Sequence, residues 1–213
     1  MSVRMRKKKN LVPRLAACAA LLEEEPALRK GSWRTLFPGR ETLALEIGCG
    51  KGKFTAATAL REPEQALVAL ERVPEALVMA VEKAAALSLA NVRYVLGDAG
   101  DLAEDFAPGE LDRIYVNFCD PWPKKKHARR RLVHRDFLAV YSSLLKSGGE
   151  VIFKTDNAPL FDFALEEAEA AGFRVTGVSR DLAASSIPNV TTEYEEKFMA
   201  LGTPINRAVF VRE

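Results

Sequence analysis

From residue 43 onward, short apolar runs alternate with segments in which apolar residues recur every three or four positions. Runs of four to eight apolar residues suit strands buried on both faces, and the wider spacing suits helices with one buried face. Strands are predicted at Leu43 to Ile47, Leu67 to Leu70, Val92 to Leu96, Leu111 to Phe118, Val151 to Lys154, Phe173 to Val178 and Ala208 to Val211. Helical faces run through Val73, Leu77, Ala80, Ala84 and Leu87, and again through Val133, Phe137, Val140 and Leu144. A third helix, from about Ala158 to Ala171, stops at Gly172. This alternation predicts an α/β fold, a doubly wound, mostly parallel seven-stranded sheet, whose ligands bind at the carboxyl ends of the strands.

The first 40 residues read differently, as a helical, basic N-terminal extension with turn signals at Pro26, Gly31 and Pro38 to Gly39. Residues 41 to 213 are then one domain, with the extension packed on it. No run is long and apolar enough for a bilayer, and the start lacks a signal-peptide pattern, so a cytoplasmic protein is expected. Cys18, Cys49 and Cys119 are odd in number and widely spaced, which predicts neither disulfides nor a zinc site.

Charge changes the picture only once it is placed along the chain. The formal net charge is +2, yet residues 4 to 14 hold six bases and residues 124 to 135 hold seven, with no acid in either stretch. The rest of the chain carries 18 bases against 29 acids. Two concentrated basic patches on an acidic body suit a polyanionic partner, although a basic run by itself can be a solvated tail.

The segment Leu43-Ala44-Leu45-Glu46-Ile47-Gly48-Cys49-Gly50-Lys51-Gly52 reads as a buried strand entering a glycine turn and then a helix. A dinucleotide fingerprint needs its third glycine at position 53, where Lys53 stands, and no Gly-Lys-Ser/Thr follows for a phosphate loop. Glu46, just before the turn, would repel a pyrophosphate but suits a cofactor with a sulfonium and an ammonium group. Glu71 closes the next strand where ribose hydroxyls are gripped in doubly wound folds, and Asp98 follows the third strand where an adenine amino group can be read. With Gly48, Gly50 and Gly52, this pattern favours S-adenosylmethionine.

The fourth strand leads into Asp120-Pro121-Trp122-Pro123-Lys124-Lys125-Lys126-His127-Ala128-Arg129-Arg130-Arg131-Leu132. Two prolines stiffen the backbone beside Asp120, and the acid with its neighbouring tryptophan suits recognition of a base. The bases that follow are expected to open the helix carrying Val133 and Phe137, where they would reinforce the anion affinity of its N-terminus. His127 and His134 make a poor metal site, and phosphate contact or surface placement suits them better.

These residues, with Thr192-Glu193-Tyr194-Glu195-Glu196-Lys197-Phe198, resemble the bacterial tRNA (guanine-N7)-methyltransferase family over nearly the whole chain. The resemblance implies that Glu46, Glu71, Asp98 and Asp120 line the S-adenosylmethionine pocket, with Asp120 also catalytic. It implies that Lys124, Asp156, Thr192, Glu193, Tyr194 and Glu195 contact substrate, and that Lys126, His127, Arg129, Arg130 and Arg131 meet the RNA. Lys126 stands where arginine is common, which weakens bidentate phosphate contact there without changing the assignment. The implied acceptor is tRNA, in its variable loop, and the implied state is a monomer or homodimer. From local sequence, Asp156-Asn157 also suits a helix cap and Glu195 an ordinary charged loop. The competing readings are a methyltransferase for another RNA base, a non-catalytic RNA-binding module on the same fold and, third, a nicotinamide oxidoreductase disfavoured by its loop spacing.

Overall fold

The structure, a computed structural model, describes residues 9–213, so Arg4, Arg6, Lys7 and Lys8 of the first basic run lie outside the described residues. The chain forms two compact units, one up to Ala107 and one from Pro108 to Glu213.

In the first unit, β1 (Thr42–Ile47), β2 (Gln65–Glu71) and β3 (Val92–Leu96) pair in parallel in the order β3-β2-β1. Every residue of β2 is buried, as a strand covered on both faces requires. Helix α2 (Lys53–Arg61) follows the glycine turn, and α3 (Pro74–Ala86) opens with a proline, whose fixed φ suits the first helical position. A one-turn helix, α4 (Leu102–Asp105), closes the unit.

The N-terminal extension is less helical than its sequence suggests. After the short α1 (Leu11–Ala16) it runs through three 3-10 turns, Ala19–Leu21, Pro26–Arg29 and Trp33–Leu36. It is nonetheless tied to this unit. Trp33 is fully buried, stacks on Phe106 at 5.1 Å and donates its indole N–H to the Asp105 carbonyl at 2.8 Å. Arg14, from the basic run, forms a two-bond ion pair with Glu82 of α3, both at 2.6 Å.

The second unit contains β4 (Leu111–Asn117), α5 (Arg135–Leu144), β5 (Leu145–Thr155), α6 (Ala158–Ala170), β6 (Phe173–Ser179), α7 (Glu193–Met199) and β7 (Asn206–Arg212). Its strand order is β4-β5-β7-β6. β4 and β5 are parallel, whereas β7 inserts antiparallel between β5 and β6. β5 starts six residues earlier than its apolar run, because Lys146 to Gly149 cross an irregularity in its pairing with β4 before regular register resumes at Glu150.

One expectation about this unit is overturned. The basic strip does not open α5: Lys125–Arg130 forms its own 3-10 turn, and α5 starts at Arg135 behind His134, whose Nδ1 accepts the Asp136 N–H at 3.1 Å. The start of α5 already holds an anion, the Glu167 carboxylate of α6. It accepts the Arg135 backbone N–H at 2.7 Å and the Arg135 guanidinium at 2.7 and 3.0 Å. That guanidinium holds the Glu167 carboxyl below the usual carboxylate range. A phosphate has no reason to displace so complete a set of bonds.

Candidate active site

The glycine turn of the first unit is built by three positive φ values, 79° at Gly48, 57° at Gly50 and 75° at Gly52, a region that L side chains avoid. The three glycines have different surroundings. A Cβ added at Gly48 or Gly50 would meet nothing within 4 Å, so both face open space that a ligand can approach. A Cβ at Gly52 would lie 2.6 Å from Ala80 Cβ and 2.8 Å from its Cα. Gly52 therefore lets α2 and α3 pack closely.

The acids around this turn are partly committed. Glu71 accepts the Gly50 N–H with one oxygen and the Val73 N–H with the other, each at 2.9 Å, so it braces the turn. An ionised carboxylate has about four acceptor positions, which leaves Glu71 able to take ribose hydroxyls as well. Asp98 is exposed; its Oδ1 accepts the Gly100 N–H at 2.9 Å. Glu46 is almost wholly buried and accepts the Thr55 hydroxyl of α2 at 2.5 Å, so it sets negative charge under the turn. Burial, then the Glu46 and Glu71 charges, push the Cys49 thiol well up, which leaves it a neutral packing group. An open face at two glycines, with acids around and beneath them, fits the sulfonium, ammonium and ribose of S-adenosylmethionine.

In the second unit, β4 ends in a strained segment. Phe118 and Trp122 have φ values of 53° and 40°, although neither is glycine. Such conformations cost about 1–3 kcal/mol each and persist only where surrounding contacts enforce them. Those contacts are visible. Phe118 donates its N–H to the Lys154 carbonyl at 2.9 Å. Arg131 donates to the carbonyls of Pro121 at 3.0 Å and Trp122 at 3.1 Å, while its guanidinium lies 4.2 Å over the Phe163 ring. Arg131 is thus a clamp on the Asp120 loop, held by backbone acceptors across it. Arg130 covers Trp122 at 4.0 Å and the His127 ring meets Trp122 edge-on at 5.7 Å. Asp120, Lys124, Lys125, Lys126, Arg129 and Arg130 are exposed. Cys119, beside them, is pushed up to about 12 by burial and then by Asp120.

The expected substrate residues divide into two kinds. Asn157, rather than Asp156, caps α6, accepting the Leu160 N–H at 2.8 Å. Thr192 and Glu195 form a capping box that starts α7, and both are buried. Glu195 also meets Lys154 of β5 at 2.7 Å and accepts from the Asn189 amide. Glu195 is wholly buried and anchors the start of α7 to β5. Glu193 and Tyr194 point outward. Burial, then the charges of Asp156 and Asp120, push the Tyr194 hydroxyl up from its usual range. Its ring stacks on Phe198 at 4.4 Å and tilts against Phe118 at 5.2 Å.

Sequence reasoning missed Lys154, Asn189 and Phe118. A lysine closing the apolar run Val151-Ile152-Phe153 was a signal that a buried partner existed, but not which one. No group of metal-binding side chains occurs among the described residues, and no described helix is long and apolar enough to cross a membrane.

Comparison with known proteins accords with this geometry. A family model described as "Putative methyltransferase" matches residues 40–208. A tRNA (guanine-N(7)-)-methyltransferase of Geobacillus kaustophilus is 42% identical over 211 residues, 99% of this chain and 97% of the relative. The protein of that name from Bacillus subtilis is 41% identical over 207 residues, 97% of each chain. Among solved structures, a 16S rRNA methyltransferase, KamB, superposes with a TM-score of 0.66 at 16% identity, covering 86% of this chain and 93% of that one. An antibiotic-related methyltransferase gives 0.64 at 18% identity, covering 85% and 92%. These structural likenesses show a Rossmann-like fold with a seven-stranded, mostly parallel sheet. With full-length identity above 40% added to the fold, the chain belongs to the bacterial tRNA (guanine-N(7)-)-methyltransferase family.

Proposed function

We propose that this chain methylates N7 of a guanine in the variable loop of tRNA, with Asp120 as the carboxylate that receives the base. The observation that carries the reading is the contact of the exposed Tyr194 with Phe118 at 5.2 Å, which brings α7 against the strained segment that carries the exposed Asp120 two residues later. S-Adenosylmethionine supplies an electrophilic methyl group on a sulfonium. The open faces of Gly48 and Gly50 would admit its methionine end, Glu71 would take its ribose hydroxyls and Asp98 its adenine amino group, and Glu46 would contribute negative charge from beneath.

Guanine N7 carries an exposed lone pair and no proton, so no general base has to act before attack. The protein's work is then to hold the base in line and keep water out. The Asp120 carboxylate accepts from the guanine N1–H and N2–H donors and offsets the positive charge that the base acquires. Asp156, one residue past the end of β5, would share the base contacts, and the exposed ring of Tyr194 offers a stacking face. Lys124, Lys126, His127, Arg129 and Arg130 meet the phosphates. Arg131 and Glu195 hold the loops that carry these groups.

The reading is tested by supplying labelled S-adenosylmethionine and unmodified bulk tRNA, then digesting the product to nucleosides. The expected label is in 7-methylguanosine. Label in another nucleoside moves the reaction to a different base, and cofactor binding without transfer favours an RNA-binding module.

A further inference from the structure

Lys154 lies in β5 two residues before Asp156, and its side chain is only 2% exposed. A buried ammonium is costly unless all its donors are met, and here three acceptors meet them. Glu195 accepts at 2.7 Å, the Val190 carbonyl at 2.8 Å and Asn189 at 3.1 Å. Asn189 and Val190 lie in the segment that leads into α7, and Glu195 in its first turn. The backbone of the same lysine reaches the other acceptor segment, because its carbonyl takes the Phe118 N–H at 2.9 Å. The ring closes through Tyr194, whose side chain meets Phe118 at 5.2 Å. Lys154 is thus bonded, through its backbone and its side chain, to both segments that carry the proposed base contacts.

We infer that Lys154, through its buried pair with Glu195, is a positioning residue that fixes Tyr194 relative to Asp120 and so sets the productive pose of the guanine. It touches no reacting atom. Its effect runs through the start of α7: the Glu195 carboxylate that Lys154 holds is the same one that completes the capping box with Thr192, so losing the ammonium frees the first turn carrying Tyr194. A pair kept only for stability would behave differently, because apolar residues of similar volume often replace a buried ion pair without loss of stability. The inference rests on the tRNA reading above.

The test is the double variant K154M/E195L, which removes both charges together, compared with the parent chain on unmodified tRNA. The expected result is a melting temperature within a few degrees of the parent's and an unchanged S-adenosylhomocysteine affinity, with kcat/KM for tRNA lowered about a hundredfold, the scale on which small misplacements reduce turnover. Asn189 provides a second variant that leaves the ion pair in place: N189A, which leaves the ammonium one acceptor short, is expected to raise the tRNA KM about threefold with a fall in melting temperature of a few degrees. An unchanged KM and kcat in a folded variant of either kind overturns the inference while the active parent leaves the function standing. A parent inactive on tRNA overturns the function itself, and the inference with it.

Discussion

Replacing Asp120 with asparagine is expected to lower kcat about a hundredfold or more, the size of effect seen when a group aimed at developing charge is removed. The substitution keeps the shape of the side chain but removes its charge and turns one acceptor oxygen into a donor. That donor faces the guanine N1–H and N2–H donors, so the base contact becomes a repulsion. Stability should change little, since Asp120 is exposed on a loop held by other residues, chiefly Arg131 through the Pro121 and Trp122 carbonyls. Single-turnover methyl transfer, paired with a melting curve, separates the two effects. Near-parental turnover in D120N would remove Asp120 from the reaction.

The second large effect is expected at Gly52. In G52V the first added carbon already stands 2.6 Å from Ala80 Cβ, and the backbone φ of 75° disfavours a β-branched residue independently of space. Overpacking costs about 1–3 kcal/mol and backbone strain of this kind a similar amount, so a loss of about 3 kcal/mol is expected. For a chain of this length that lowers the melting temperature by about 6–12 °C. G50A makes the contrast. Its Cβ meets nothing within 4 Å, so only the strain at φ 57° applies, and the melting temperature should fall less. Equal losses in the two variants would show that Gly52 has no special packing role.

These two positions illustrate how much was legible in the sequence. The strand ends that carry Glu46, Glu71, Asp98 and Asp120 could be placed because apolar periodicity and glycine punctuation are local signals. What those residues bond to was less accessible. Gly52 looks like its neighbours in sequence, and only the packing of α2 on α3 sets it apart. Arg131 stands in a run of three arginines, yet its acceptors are backbone carbonyls nine and ten residues away that carry no sequence signature. Glu195 and Lys154 are 41 positions apart, so their pairing is a property of the fold. Part of that network was nonetheless local: Thr192 and Glu195 have the spacing of a capping box, which predicts a helix start where a charged loop is the alternative. The basic strip misled for the opposite reason. Its density suggested a helix end open to phosphate, whereas Glu167, 32 residues after Arg135, already supplies the anion.

The central claim, that N7 of a variable-loop guanine is the acceptor, is tested most directly with a tRNA in which that single guanosine is replaced by 7-deazaguanosine. This keeps the N1–H and N2–H donors and the stacking face while removing the nitrogen that would take the methyl group. The account predicts that the substituted tRNA binds as well as the parent tRNA and receives no methyl label from S-adenosylmethionine. Labelling at the parental level would contradict it and place the acceptor on another atom.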